Sequence, residues 1–179
     1  MTTSSQRRGF IGAGLGAAAL GIFVALQSGK PRKADAALSA EASAFWARRF
    51  AGLDGAELDV ARWRGQPLLA NFWATWCPPC VKELPEINQF YKEAHGQGWQ
   101  VLGLAVDQLE PVKAFLQKTP LDFPIALAGA DGLGLVRELG NAAGGLPFSI
   151  AFNAEGEINW RRLGVTHLEE LRELAKTAP

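Results

Sequence analysis

The chain has 179 residues, 48% hydrophobic and 20% charged, and no tract is dominated by Pro, Ser or Gln, which excludes a largely disordered chain and fits one ordinary domain with an appendage. Formal charge is zero, from 18 basic and 18 acidic side chains, but residues 1–40 hold five of the bases and one of the acids. The remainder is therefore mildly acidic, without the basic stripe that a nucleic-acid partner requires.

The first forty residues read as an address, and residues 41–179 as the working domain. Arg7-Arg8 follows a polar start, and Phe10 to Leu26 is then an uncharged stretch rich in Ala and Gly. A charged start, an apolar middle and small residues afterwards form the layout of an export signal. Arg7-Arg8 before Gly9-Phe10-Ile11, the Gly-diluted stretch and the basic Lys30-Pro31-Arg32-Lys33 resemble a twin-arginine signal more than a general secretory one. Ala34-Asp35-Ala36 and Leu38-Ser39-Ala40 both offer small residues at cleavage spacing. The apolar stretch also reaches the lower end of a membrane span, so the other reading is an uncleaved anchor, with membrane contact only through residues 10–26. Both place the domain in the periplasm or on the outer face of the cytoplasmic membrane.

Residues 41–50 suit a helical turn or the start of a hairpin, and Asp54-Gly55 between two short runs suggests a β-hairpin. Leu68 to Ala74 is a short apolar run bounded by turn signals, the pattern of a buried central strand. From Cys77 the period changes: Cys80, Leu84, Ile87, Tyr91 and Ala94 mark one apolar helix face, ended by Gly96 and Gly98. Val101 to Val106 is a second buried strand, expected parallel to the first across helix 77–95. A helix from Glu110 to Thr119 is stopped by Pro120, an extended piece lies near Phe123 to Ala126, and a helical stretch runs from Asp131 to Leu139. Phe148 to Phe152 is the third main strand and pairs through the turn Asn153 to Gly156 with Ile158 to Arg162. Thr166 is expected to cap a final helix bearing Leu168, Leu171 and Leu174. The order describes an α/β sandwich around a mixed sheet.

The chemistry is concentrated at Trp76-Cys77-Pro78-Pro79-Cys80, which holds the only two cysteines. Two residues between cysteines across a helix's first turn let the sulfurs approach bonding distance. Cys77 sits at the helix N-terminus, where unpaired N–H groups and the helix dipole favour a thiolate. Pro78 and Pro79 are tolerated there, because first-turn N–H groups have no intrahelical partner. Cys80 falls on the apolar stripe, so Cys77 is the expected attacking thiolate and Cys80 the resolving thiol. A purely structural disulfide would close too small a loop to restrict the unfolded chain much. Half a metal site is the other alternative, yet neither His95 nor His167 lies near the pair in sequence.

Asn71 through Pro85, with its tryptophan-flanked C-x-x-C followed by Glu83 and Pro85, closely resembles the thioredoxin-fold proteins of the TlpA/ResA branch, exported bacterial thiol–disulfide oxidoreductases. The resemblance extends from about Phe45 to the C-terminus. It includes Gly144-Gly145-Leu146-Pro147 and a segment between Val106 and Gly140 like the insertion that sets this branch apart. It implies a thioredoxin-like fold: a central mixed β-sheet flanked by helices, an N-terminal β-hairpin, and a helical insertion between the second core strand and a cis-proline strand. Pro147 is then the cis-proline. Leu146 before it offers backbone groups to an extended substrate, with Trp76, Pro78 and Pro79 as further substrate contacts. Thioredoxins carry a buried Asp where Asn71 stands, and Asn71 cannot take a proton. The branch has its acidic residue at Glu83, a helical neighbour of Cys80, and the resemblance gives Glu83 the proton-handling role. The alternative is a carboxylate favoured by the helix N-terminus alone.

The resemblance implies a reductase of disulfide-bearing envelope proteins, using no cofactor or metal. With no third cysteine, the pair is expected to be recharged by a membrane electron donor. Pro78-Pro79 lacks the imidazole found in strong periplasmic oxidants, although an oxidase or isomerase on the same scaffold remains the alternative, followed by a copper chaperone. The branch also includes cytochrome c maturation, against which Phe148 counts, because members dedicated to it tend to be acidic there.

Overall fold

The computed structural model describes residues 38–129 and 131–177; the apolar stretch and the twin-arginine pair lie outside them. Helix α1 (Ala40–Trp46) starts at Ser39, whose hydroxyl accepts the Ala42 N–H at 3.3 Å. Strands β1 (Arg49–Gly52) and β2 (Glu57–Asp59) follow as an antiparallel hairpin. Its turn needs a left-handed residue, supplied by Gly55 at φ 83°. So the region contains both the helical turn and the hairpin. A 3₁₀ turn (Val60–Trp63) leads to β3 (Leu68–Trp73) and helix α2 (Pro78–Ala94). Then come β4 (Gln100–Ala105), α3 (Leu109–Lys118), β5 (Ile125–Leu127), α4 (Gly132–Glu138), β6 (Phe148–Phe152), β7 (Ile158–Leu163) and α5 (Leu168–Thr177).

The seven strands form one sheet in the order β2-β1-β5-β4-β3-β6-β7, with β3, β4 and β5 mutually parallel and the other pairs antiparallel. The insertion therefore contributes a strand as well as helices. That strand starts at Ile125, two residues later than the sequence suggests, because Pro124 has no N–H to give the ladder.

Alternation along the strands builds two cores. Leu68, Ala70 and Phe72 face α1 and α4, while Leu69 and Trp73 face α2, α3 and α5. On α2 the buried face carries Phe90, and Tyr91 is only half-buried against Phe123. Thr166 does not cap α5. The first-turn N–H of Leu168 is met by Glu86 Oε2 at 2.7 Å, and the Thr166 hydroxyl turns inward to Ser149.

Candidate active site

Strand β3 delivers the chain to the start of α2, where Cys77 and Cys80 form a disulfide with Cα atoms 5.3 Å apart. Cys77 is the N-cap: its backbone is extended, and its sulfur accepts the Cys80 N–H at 3.4 Å. Cys77 retains 5% exposure and Cys80 none, so an incoming thiol reaches Cys77 first. Pro78 and Pro79 occupy the first helical positions and are exposed, and Trp76 stands 60% exposed beside them. One residue absent from the sequence reading holds this loop. Asp107, just past β4, accepts both the N–H and the hydroxyl of Thr75 on its Oδ2, at 2.9 and 2.6 Å.

The Leu146–Pro147 peptide bond is cis. Antiparallel register pairs Phe72 with Phe148, so Pro147 lies level with Trp73, at the end of β3 from which the cysteine loop springs. Pro147 is buried, and its carbonyl accepts the Gly164 N–H at 3.0 Å. Leu146 is half-buried against the core that contains Cys77 and Cys80. Among the described residues nothing bonds its N–H or C=O, which leaves them free to pair with another chain.

One turn along α2 from Cys80 begins a buried polar cluster. Glu83 is in the second turn of α2, on the stripe that carries Cys80, and is fully buried, so a helix-terminus role does not describe it. Its Oε1 accepts from Asn71 Nδ2 at 2.7 Å and its Oε2 from the Thr166 N–H at 2.6 Å. Asn71 also donates to Ser149 Oγ at 2.9 Å, and the Thr166 hydroxyl donates to the same atom at 3.1 Å. Asn71 and Ser149 are register partners on β3 and β6. Each is the lone polar residue in its strand, and alternation points both at α2. Burial pushes the Glu83 carboxyl from 4.5 up to about 7; the Thr166 and Asn71 donors and His167 pull it down, and the Glu86 charge adds a smaller upward push.

A polar residue inside an otherwise apolar strand was a legible signal for Ser149, whereas Asn71 was marked by the resemblance. Thr166 and Asp107 gave none, because loops bring them in. Among the described residues no three His, Cys, Asp or Glu side chains gather as a metal-holding group, and no helix is long and apolar enough to cross a membrane.

The chain matches the Redoxin family over residues 34–177. It is 32% identical over 128 residues to the thiol-disulfide oxidoreductase ResA of Halalkalibacterium halodurans, covering 69% of this chain and 70% of that protein. It is 30% identical over 126 residues to the sporulation thiol-disulfide oxidoreductase A of Bacillus subtilis, covering 68% and 73%. Among solved structures it resembles StoA from Bacillus subtilis, with a TM-score of 0.57 and 27% identity over 70% of this chain and 93% of that one. A thioredoxin-related protein from Neisseria meningitidis serogroup B matches with a TM-score of 0.63 and 30% identity, covering 72% and 97%.

Proposed function

The chain belongs to the Redoxin family and is a thiol–disulfide oxidoreductase with a thioredoxin-like fold; we propose that it works as a reductase of disulfide-bearing proteins of the cell envelope. The observation that carries this reading is the Cys77–Cys80 disulfide at a helix N-terminus, level with a cis-proline whose preceding backbone is unpaired among the described residues. A substrate strand pairs with Leu146 and lies against Trp76, Pro78 and Pro79, and its disulfide meets Cys77. Cys77 as thiolate attacks, forming a mixed disulfide and releasing one substrate sulfur. Cys80 then gives its proton to Glu83 and attacks Cys77, which frees the second substrate sulfur and closes the pair.

Glu83 suits that transfer because a carboxyl near 7 exchanges protons readily at neutral pH. The spent pair is recharged by a separate membrane electron donor. Residues 1–40 act as the export address, and the domain works in the periplasm or on the outer face of the cytoplasmic membrane.

Direction is tested by equilibrating the pair with glutathione. A reductase requires a potential close to the value of about −270 mV of thioredoxin, and a potential near the roughly −120 mV of strong oxidants would make the protein an oxidase.

A further inference from the structure

Asn71 has one atom left over. Both hydrogens of its amide are engaged, by Glu83 Oε1 at 2.7 Å and Ser149 Oγ at 2.9 Å, while its Oδ1 is buried without a partner among the described residues. The other side of Glu83 is fixed by the backbone, since the Thr166 N–H donates to Oε2 at 2.6 Å and cannot turn over. This arrangement offers Glu83 two donors and suits an ionised carboxylate. A proton on the Oε2 lone pair turned towards Thr166 would face its N–H. A proton on the Oε1 lone pair turned towards Asn71 would face the amide hydrogen, unless the amide rotates.

We propose that Asn71 is a positioning residue whose side-chain amide inverts with the charge of Glu83, so that the proton is held on Oε1 and accepted by the Asn71 Oδ1. A half-turn about the Cβ–Cγ bond exchanges the amide's two ends within almost the same volume. Ser149 serves both states, because a hydroxyl accepts from Nδ2 in one and donates to Oδ1 in the other. An aspartate at this position would bring a second carboxylate against Glu83, and a leucine would offer neither a donor nor an acceptor. An amide can answer both forms of the carboxyl.

The inference rests on the reading that Glu83 takes the proton of Cys80. In that step the Cys80 S–H bond breaks and the proton passes to Oε1. The Cys80 thiolate attacks the Cys77 sulfur, a Cys77–Cys80 bond forms, and the bond to the substrate sulfur breaks with both electrons leaving on the substrate thiolate. The charged groups turned towards Glu83 are Glu86 on α2 and His167 before α5, themselves paired at 3.4 Å. Strands β3 and β6 present the neutral Asn71 and Ser149, and the cysteines do not titrate while disulfide-bonded.

The test is nuclear magnetic resonance of the isotope-labelled, oxidised protein from about pH 5 to about pH 9, bracketing the Glu83 midpoint. The Glu83 carboxyl carbon reports its titration. A hydrogen-bond coupling between Asn71 Nδ2 and that carbon is expected above the midpoint and lost below it, with the Asn71 amide resonances following the same midpoint. Asn71→Leu, if it folds, removes the donor to the ionised form and the acceptor of the protonated form together, and should show the coupling at no pH. Asn71 amide resonances that stay unmoved through the Glu83 titration would overturn the proposal, whatever the variant does. Normal resolution by Glu83→Gln would instead refute the proton-accepting role, a separate failure.

Discussion

The carboxyl of Glu83 is held near 7 because burial outweighs the two donors that favour its charge. A carboxyl whose folded pKa lies above its unfolded value binds more protons folded than unfolded, so its contribution is fully present below about 4.5 and lost as pH rises through about 7. The shift corresponds to roughly 3 kcal/mol. Denaturant titration of the oxidised protein at both ends of that window should show wild type losing stability relative to Glu83→Gln as pH rises, with the variant's own dependence on this window removed. Equal pH slopes for the two proteins would mean that Glu83 titrates normally. At this scale Cys77, Cys80, Glu83 and Pro147 were legible, since spacing and the resemblance marked them. The sequence made Glu83 a helical neighbour of Cys80, and the fold encloses it completely, because the loop before α5 brings the Thr166 backbone over it.

Among the elements, β4 carries Gly103, register partner of Asn71, beneath neighbouring side chains that leave no room for a Cβ. A Cβ there would lie 2.4 Å from Ile125 Cδ1, 3.0 Å from the Phe123 ring and 3.3 Å from Trp73 Nε1. The Ile125 methyl can turn aside, but both rings are set in the core. Gly103→Ala should therefore destabilise by about 1–3 kcal/mol, measured as a shift in the unfolding midpoint; an unchanged midpoint would show that the strand relaxes freely. The main strands and α2 were readable from periodicity, because a buried strand and a one-sided helix leave different apolar patterns. Element ends were less so. The Thr166 hydroxyl looked like a cap in one dimension and faces Ser149 in three, and the short β5 is defined by its partners β4 and β1 more than by its own residues.

At the scale of the whole molecule, the sheet brings the cysteine loop, the cis-proline turn and the Thr166 loop to one end, from segments far apart in the chain. The meeting of the cysteine loop and the cis-proline turn was implied by the resemblance, the arrival of the Thr166 loop was not, and neither could have come from periodicity. The proposed export route has its own check: replacing Arg7 and Arg8 with Lys should abolish accumulation outside the cytoplasm, and unimpaired export would leave a general secretory signal. The central claim is that Cys77 attacks and Cys80 resolves. Its most direct measurement is mass spectrometry of the products formed when Cys80→Ser and Cys77→Ser variants, reduced, meet a disulfide-bearing protein. The account predicts that Cys80→Ser accumulates a mixed disulfide through Cys77, while Cys77→Ser forms none. A stable adduct through Cys80 in the Cys77→Ser protein, with none in Cys80→Ser, would contradict it.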